Sequence, residues 1–162
     1  MFKLVILDLD KTIWDHEDAT SLKPPFKKYS SDKVVDSEGT VVKLNSCVKS
    51  FLETCNAVGI RVSIASWNKP KVTFELLNEF GLLKYFQNPV IEFHPEKDRM
   101  IDKILKRFKR QGQNFKQDEI VFVDDNPDML AKVKMRFPKM RTILFGVDVA
   151  GFNELKSLLG AP

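Results

Sequence analysis

Stretches of branched and aromatic residues alternate along this chain with stretches in which apolar side chains recur every three or four positions. The first, Phe2 to Leu9, is a near-continuous apolar run, the pattern of a strand buried on both faces. Ile60 to Ser66, Val90 to Phe93, Glu119 to Val123 and Arg141 to Phe145 repeat it in shorter form. Between them the spacing predicts helices over about 47–58, 71–80, 97–111, 127–137 and 152–159. Ser46 is placed to cap the first, which carries Val48, Phe51, Leu52 and Cys55 on one face. Gly59 and Gly81 stand where helices stop, and Pro127 suits a first helical turn. Alternating strands and helices predict a doubly wound α/β fold, a parallel sheet with helices on both faces, as one domain over residues 1–162.

Residues 12 to 45 break this rhythm. They hold Pro24-Pro25, several Ser and Lys, and few large apolar residues. Lys33-Val34-Val35 and Thr40-Val41-Val42 flank Asp36-Ser37-Glu38-Gly39, which predicts a β-hairpin with a four-residue turn. Segment 14–45 has too little apolar content for a large cap domain and is expected to form a small β-hairpin flap.

Composition narrows the class without naming a function. A hydrophobic fraction of 43% is that of a globular protein, and no apolar run approaches the roughly 20 residues of a membrane span. The start lacks a signal-peptide pattern, and a cytoplasmic location is expected. Cys47 and Cys55, eight apart on one predicted helix, lie ~12 Å apart by helical rise, too far for a disulfide; both are expected as buried free thiols. Net charge is +4, and the densest basic stretch, Lys103 to Arg110, carries apolar residues at helical spacing. It reads as a solvated helix face rather than a nucleic-acid patch.

In a doubly wound sheet the chemistry lies beyond the C-terminal strand ends. Four strand ends here carry polar groups: Asp8-Leu9-Asp10-Lys11-Thr12, Ser66-Trp67-Asn68, His94-Pro95-Glu96-Lys97 and Asp124-Asp125-Asn126. Side-chain alternation lets Asp8 and Asp10 face the same side. Together with Asp124 and Asp125 they form an acidic set that is costly unless a cation joins it, and oxygen-only donors favour Mg2+. Taken singly these residues have plainer readings: Asp10 as a turn former, Asp124 to Pro127 as an Asx-Pro cap, Ser66 as a cap, Lys97 as a surface lysine. Their ordered occurrence at successive strand ends is what the plainer readings leave unexplained. Trp14 and Trp67 are expected in the core, with the mouth of the site as the alternative; His16 and His94 are expected to be solvated.

Asp8-Leu9-Asp10-Lys11-Thr12 resembles the DxDx[TV] signature of the haloacid dehalogenase (HAD) superfamily of phosphohydrolases. Ser66, Lys97 and Asp124-Asp125 resemble its second, third and fourth motifs, in that order. Trp14, Pro24-Pro25-Phe26, the Asp36–Gly39 turn, Ile64-Ala65-Ser66 and Lys84-Tyr85-Phe86 are similar to the magnesium-dependent phosphatase family, a nearly capless branch. One residue fewer separates Pro95 from Lys97 than is typical there, which leaves Lys103 as a second candidate.

The resemblance implies a Mg2+-dependent phosphatase acting on phosphate monoesters. Asp8 would be the nucleophile and form an aspartyl-phosphate, and Asp10 the acid and base. Ser66 and Lys97 would stabilise the phosphoryl group, with Leu9, Trp67 and Asn68 beside the substrate. Asp8, the Asp10 carbonyl, Asp124 and Asp125 would hold Mg2+, Asp125 being favoured as direct ligand. Compatible substrates are phosphotyrosine-type proteins, sugar phosphates and small metabolites. Alternatives are a receiver-like phosphoryl-accepting domain, whose acidic pair precedes its acceptor Asp, and a nucleic-acid end phosphatase. The order found here, with DxD first, favours the hydrolase. A monomer without membrane or nucleic-acid partners is expected.

Overall fold

The computed structural model describes residues 1–161. In chain order the strands are β1 (Leu4–Leu7), β2 (Lys27–Lys28), β3 (Lys33–Val35), β4 (Val41–Lys43), β5 (Arg61–Trp67), β6 (Val90–Glu92), β7 (Ile120–Asp124) and β8 (Arg141–Leu144). The α-helices are α1 (Val48–Ala57), α2 (Pro70–Glu79), α3 (Lys97–Arg110), α4 (Pro127–Arg136) and α5 (Phe152–Leu158). Short 3-10 turns occupy Ala19–Ser21, Leu83–Tyr85 and Gln117–Glu119.

β6, β5, β1, β7 and β8 pair in that order, all parallel. The alternation of side chains in β1 explains its unbroken apolar run. Val5 and Leu7 enter one core, with Phe51 and Leu52 of α1, Leu76 and Leu77 of α2, and Phe152 and Leu155 of α5. Leu4 and Ile6 enter the other, with Met100, Ile101, Ile104 and Phe108 of α3 and Leu130 and Val133 of α4. A strand covered on both faces has no polar side, so no position in it tolerates a charge without loss of burial. The doubly wound α/β reading therefore holds.

The chain runs outward from β1 through β5 to β6, then crosses back to β7 and leaves toward β8. The winding reverses between β1 and β7, and at such a reversal a crevice opens beyond the carboxyl ends of the two strands.

The predicted hairpin is β3 and β4, and β2 adds a third antiparallel strand that the sequence pattern did not reveal. Its short Lys27-Lys28 segment carries no apolar alternation and is exposed. Val34 and Val42 anchor this small sheet in the first core. The turn is organised by the buried Asp36 carboxylate, which accepts from the N–H groups of Lys23, Glu38 and Thr40.

Two local expectations fail. Ser46 does not cap α1: Cys47 is the N-cap, in the left-handed region (φ 68°), and no side chain caps that end. That conformation turns Cys47 to the surface, so only Cys55 is buried. Among the described residues no helix is long and apolar enough to cross a membrane.

Candidate active site

Leu7 pairs with Val123, so the residues that follow them, Asp8 and Asp124, stand side by side at the β1–β7 reversal. The Asp8 N–H donates to the Val123 carbonyl at 2.9 Å, carrying the pairing one residue past β1. Lys97 is the first residue of α3, whose apolar face lies on β5 and β6. Its Nζ donates to Asp8 Oδ1 at 2.8 Å, to Asp124 Oδ2 at 3.0 Å and to the Ala65 carbonyl at 2.8 Å. All three ammonium protons thus have acceptors, which a lysine only 3% exposed requires. Lys103, the second candidate, pairs instead with Glu92 at the surface.

Carboxylate oxygens of Asp8, Asp124 and Asp125 lie within 4.8 Å of one another. One ammonium pairs with the two buried carboxylates of Asp8 and Asp124, and the exposed Asp125 stands beside them, so negative charge is left over. The consequences are visible in proton affinity. Burial, opposed by Lys97 and aided by Asp125 and Asp10, raises Asp8 to about 6. Burial and Asp8 raise Asp124 to about 6 against the pull of Lys97. Burial and Asp124 raise Asp125 as well. Burial alone would lower Lys97, but Asp8 and Asp124 more than offset it and hold the ammonium above its ordinary value. Excess negative charge, oxygen-only donors and close spacing fit a hard divalent cation. The site would then become neutral enough to receive an anionic phosphate.

Asp10 lies in the turn that follows β1. Its Oδ1 accepts from Trp14 Nε1 at 2.8 Å and from the Ala19 N–H at 3.1 Å; its Oδ2 accepts from Asn68 Nδ2 at 3.0 Å. Burial raises its pKa, against these three donors and with help from Asp18. Asp8, Asp10, Lys97, Asp124 and Asp125 all line one cavity of about 530 Å³. Its remaining lining comes from Lys11, Glu17, Asp18, Trp67, Phe93, Asn126 and Met129. Of segment 14–45, Glu17 and Asp18 reach the lining, while the three-stranded sheet does not contribute.

Other predicted residues are placed differently. Leu9 is fully buried, and its carbonyl closes the turn by accepting from Thr12 and Ile13. Ser66 is buried behind the cavity near the end of β5 and does not line it; it accepts from Asn68 Nδ2 at 2.9 Å, which leaves its own hydroxyl proton free. Asn68, expected beside substrate, is 1% exposed and bonded to protein on every side. The two tryptophans part company: Trp14 is fully buried against Phe80, whereas Trp67 is half-exposed on the cavity wall. His16 accepts from the Asp18 N–H, and His94 sits between Glu92 and Glu96; neither lines the cavity. The plain reading of Asp124 to Pro127 as a cap fits Asn126 alone, whose side chain accepts from the Asp128 N–H at the start of α4.

Ala19 and Phe93 have places in the site that sequence reasoning missed, as it did the bond from Trp14 to Asp10. The four-residue spacing of Asp10 and Trp14 was a usable signal, because a tight turn brings such a pair together. A main-chain donor such as that of Ala19 leaves no trace in side-chain identity.

A reversing parallel sheet with a DxD at its first strand end and an acidic pair at a neighbouring one is the fold of HAD-superfamily hydrolases. A hydrolase of that superfamily from Ehrlichia chaffeensis superposes with a TM-score of 0.67 at 12% identity, over 99% of this chain and 98% of that one. The N-terminal, phosphatase-domain part of a Bacteroides fragilis protein, complexed with Mg, superposes with a TM-score of 0.66 at 19% identity, over 98% of this chain and 40% of that one. Within this fold the chain belongs to the Acid Phosphatase family, which matches residues 1–137. Human magnesium-dependent phosphatase 1 is 34% identical over 85 residues, 52% of this chain. The chain spans 48% of that relative's length in the match.

Proposed function

We propose that this protein is a Mg2+-dependent phosphoric monoester hydrolase that works through an aspartyl-phosphate on Asp8. The observation that carries the reading is the placement of Asp8, Lys97, Asp124, Asp125 and Asp10 around a single cavity at the β1–β7 reversal. The relative's name and the Mg-complexed structural neighbour support the choice of cation.

Lys97 fixes Asp8 Oδ1, leaving Oδ2 as the attacking oxygen. As Oδ2 bonds to phosphorus, the ester P–O bond breaks and its electron pair stays on the leaving oxygen. Asp10 supplies the proton that oxygen needs, then takes one from the water that hydrolyses the aspartyl-phosphate. The Ser66 hydroxyl proton and the Lys97 ammonium offset charge on the phosphoryl group. Asp8, the Asp10 carbonyl and Asp125 would hold Mg2+, which supplies further charge neutralisation. Asp124, whose two oxygens already accept from Lys97 and the Asn126 N–H, fits a supporting role better than that of principal ligand.

Exposed Trp67 and Phe93, with Met129, give the cavity an apolar rim suited to aryl or bulky esters, phosphotyrosine-type ones included. A screen of phosphate esters with Mg2+ or with EDTA tests the reading. Turnover should require Mg2+. Asp8→Asn should abolish it, and wild-type protein quenched in acid should carry one labile phosphate absent from Asp8→Asn. Full activity of Asp8→Asn would sink the assignment.

A further inference from the structure

We propose that Asn68 and Trp14 are positioning residues that together fix which oxygen of Asp10 meets the leaving group. The inference rests on the acid role given to Asp10 above and deepens it.

Asp10 Oδ1 accepts two hydrogen bonds, from the Trp14 indole and the Ala19 main chain. Both of its in-plane lone pairs are thereby engaged. Oδ2 accepts one, from Asn68 Nδ2, so one lone pair on Oδ2 remains to exchange a proton with the ester oxygen. The same Asn68 nitrogen also donates to the Oγ of the buried Ser66, which holds the amide in place from its other side.

The amide cannot turn over. Its Oδ1 accepts from the Thr20 N–H at 3.1 Å and from Thr20 Oγ1 at 2.8 Å. A main-chain N–H only donates, so the face toward Thr20 must be the oxygen and the face toward Asp10 the nitrogen. Thr20 Oγ1 in turn accepts from the Lys69 N–H at 2.9 Å, which directs its own proton to Asn68. Trp14 is held as firmly: its ring is fully buried and stacks on Phe80 at 6.1 Å between centroids. A fully built polar chain, Trp14–Asp10–Asn68–Ser66, thus stands on one side of the cavity, and of its members only Asp10 lines the cavity itself. They act through Asp10 rather than on substrate.

Single-turnover phosphorylation of the full chain at saturating Mg2+ tests this with two esters. 4-Nitrophenyl phosphate has a leaving group that needs no proton, and glycerol phosphate has one that does. Asn68→Leu, Asn68→Asp and Trp14→Phe should each lower the rate on glycerol phosphate about 10- to 100-fold, up to the lower end of a full general-acid contribution, since each loosens Asp10 without removing it. On 4-nitrophenyl phosphate the loss should stay under about threefold, with KM unmoved on both, since Lys97 and the acidic cluster are untouched.

Equal losses on both esters would reduce these residues to structural ones and overturn the proposal. Asp10→Asn is the benchmark. If it too loses equally on both esters, the acid role itself fails; if it discriminates and the other variants do not, only the positioning fails. Should Asn68→Leu not fold, Trp14→Phe and Asn68→Asp carry the test alone. In the metal-free chain, the Trp14 indole N–H resonance should move in Asp10→Leu, and an unmoved resonance would refute the bond between them.

Discussion

Lys97 shows what a single side chain does when its surroundings leave it no freedom. Three acceptors engage its three protons, and two of those acceptors are carboxylates on neighbouring strands. Removing it unmakes both an orientation and a charge balance. Lys97→Met is expected to lower kcat/KM by about 10²- to 10³-fold, the scale of one lost charge stabiliser. In EDTA it should also cost about 3 kcal/mol of folding stability, because Asp8 and Asp124 lose their buried partner. Urea melts and steady-state rates measure the two separately, and a rate within threefold of wild type would contradict the role. Lysine at 97 was legible only through motif order; its own neighbourhood, a helix start rich in charge, looked like surface. Asn68 was legible as a strand-end polar residue and misread as facing substrate. The partners that turn it away, Thr20 and Asp10, lie 48 and 58 positions distant, and no local pattern records such a pairing.

At the scale of elements, the hairpin turn shows how one carboxylate organises a segment poor in apolar residues. Asp36 holds three main-chain N–H groups from Lys23, Glu38 and Thr40. Burial would raise its pKa, but those donors prevail and hold the carboxyl below its ordinary value. A lowered carboxyl pKa adds stability above the unfolded value of about 3.9, and that stability disappears as pH falls through the lower folded value. Asp36→Ala should therefore destabilise the protein at pH 7 by about 2 kcal/mol, from lost hydrogen bonds to donors left without acceptors. The difference from wild type should shrink as pH drops below about 4. Thermal melts across that range measure it; a pH-independent difference would assign the effect to packing. The elements themselves were largely readable because period and length agree: β1 as a two-faced strand, α3 as an amphipathic helix. β2 was not, since a two-residue exposed edge strand made of lysines carries no periodicity at all. Nor was the left-handed Cys47, where side-chain identity gives no hint of a positive φ.

For the whole molecule, the reversal of winding between β1 and β7 concentrates unbalanced charge where two halves of the sheet meet. Asp8, Asp124 and Asp125 repel one another across that seam. A divalent cation there should stabilise the entire fold, not only the site, because it binds the native arrangement and not the unfolded chain. Mg2+ at a hundredfold excess over its dissociation constant is expected to add about 2.7 kcal/mol, read as a rise in Tm over EDTA. Asp125→Asn should abolish most of that rise. A Tm indifferent to Mg2+ would separate the acidic cluster from metal binding.

The cavity has two kinds of wall. Asp8, Asp124 and Lys97, the floor to which the proposed chemistry is assigned, belong to the ends of the central strands and to a helix packed on them. Lys11, Glu17, Asp18, Phe93 and Met129 come from the connections and helix ends around it. Floor residues answer to the geometry of a buried sheet, where a shift of one side chain disturbs its neighbours on both faces. Rim residues are less bound by that packing, Phe93 above all, which is 60% exposed. If the proposed chemistry runs on that floor, selection can exchange the esters it accepts by small steps at the rim, each tested against a floor that does not change. An engineer seeking a new ester should start from Phe93 and Met129 and leave the central strands alone.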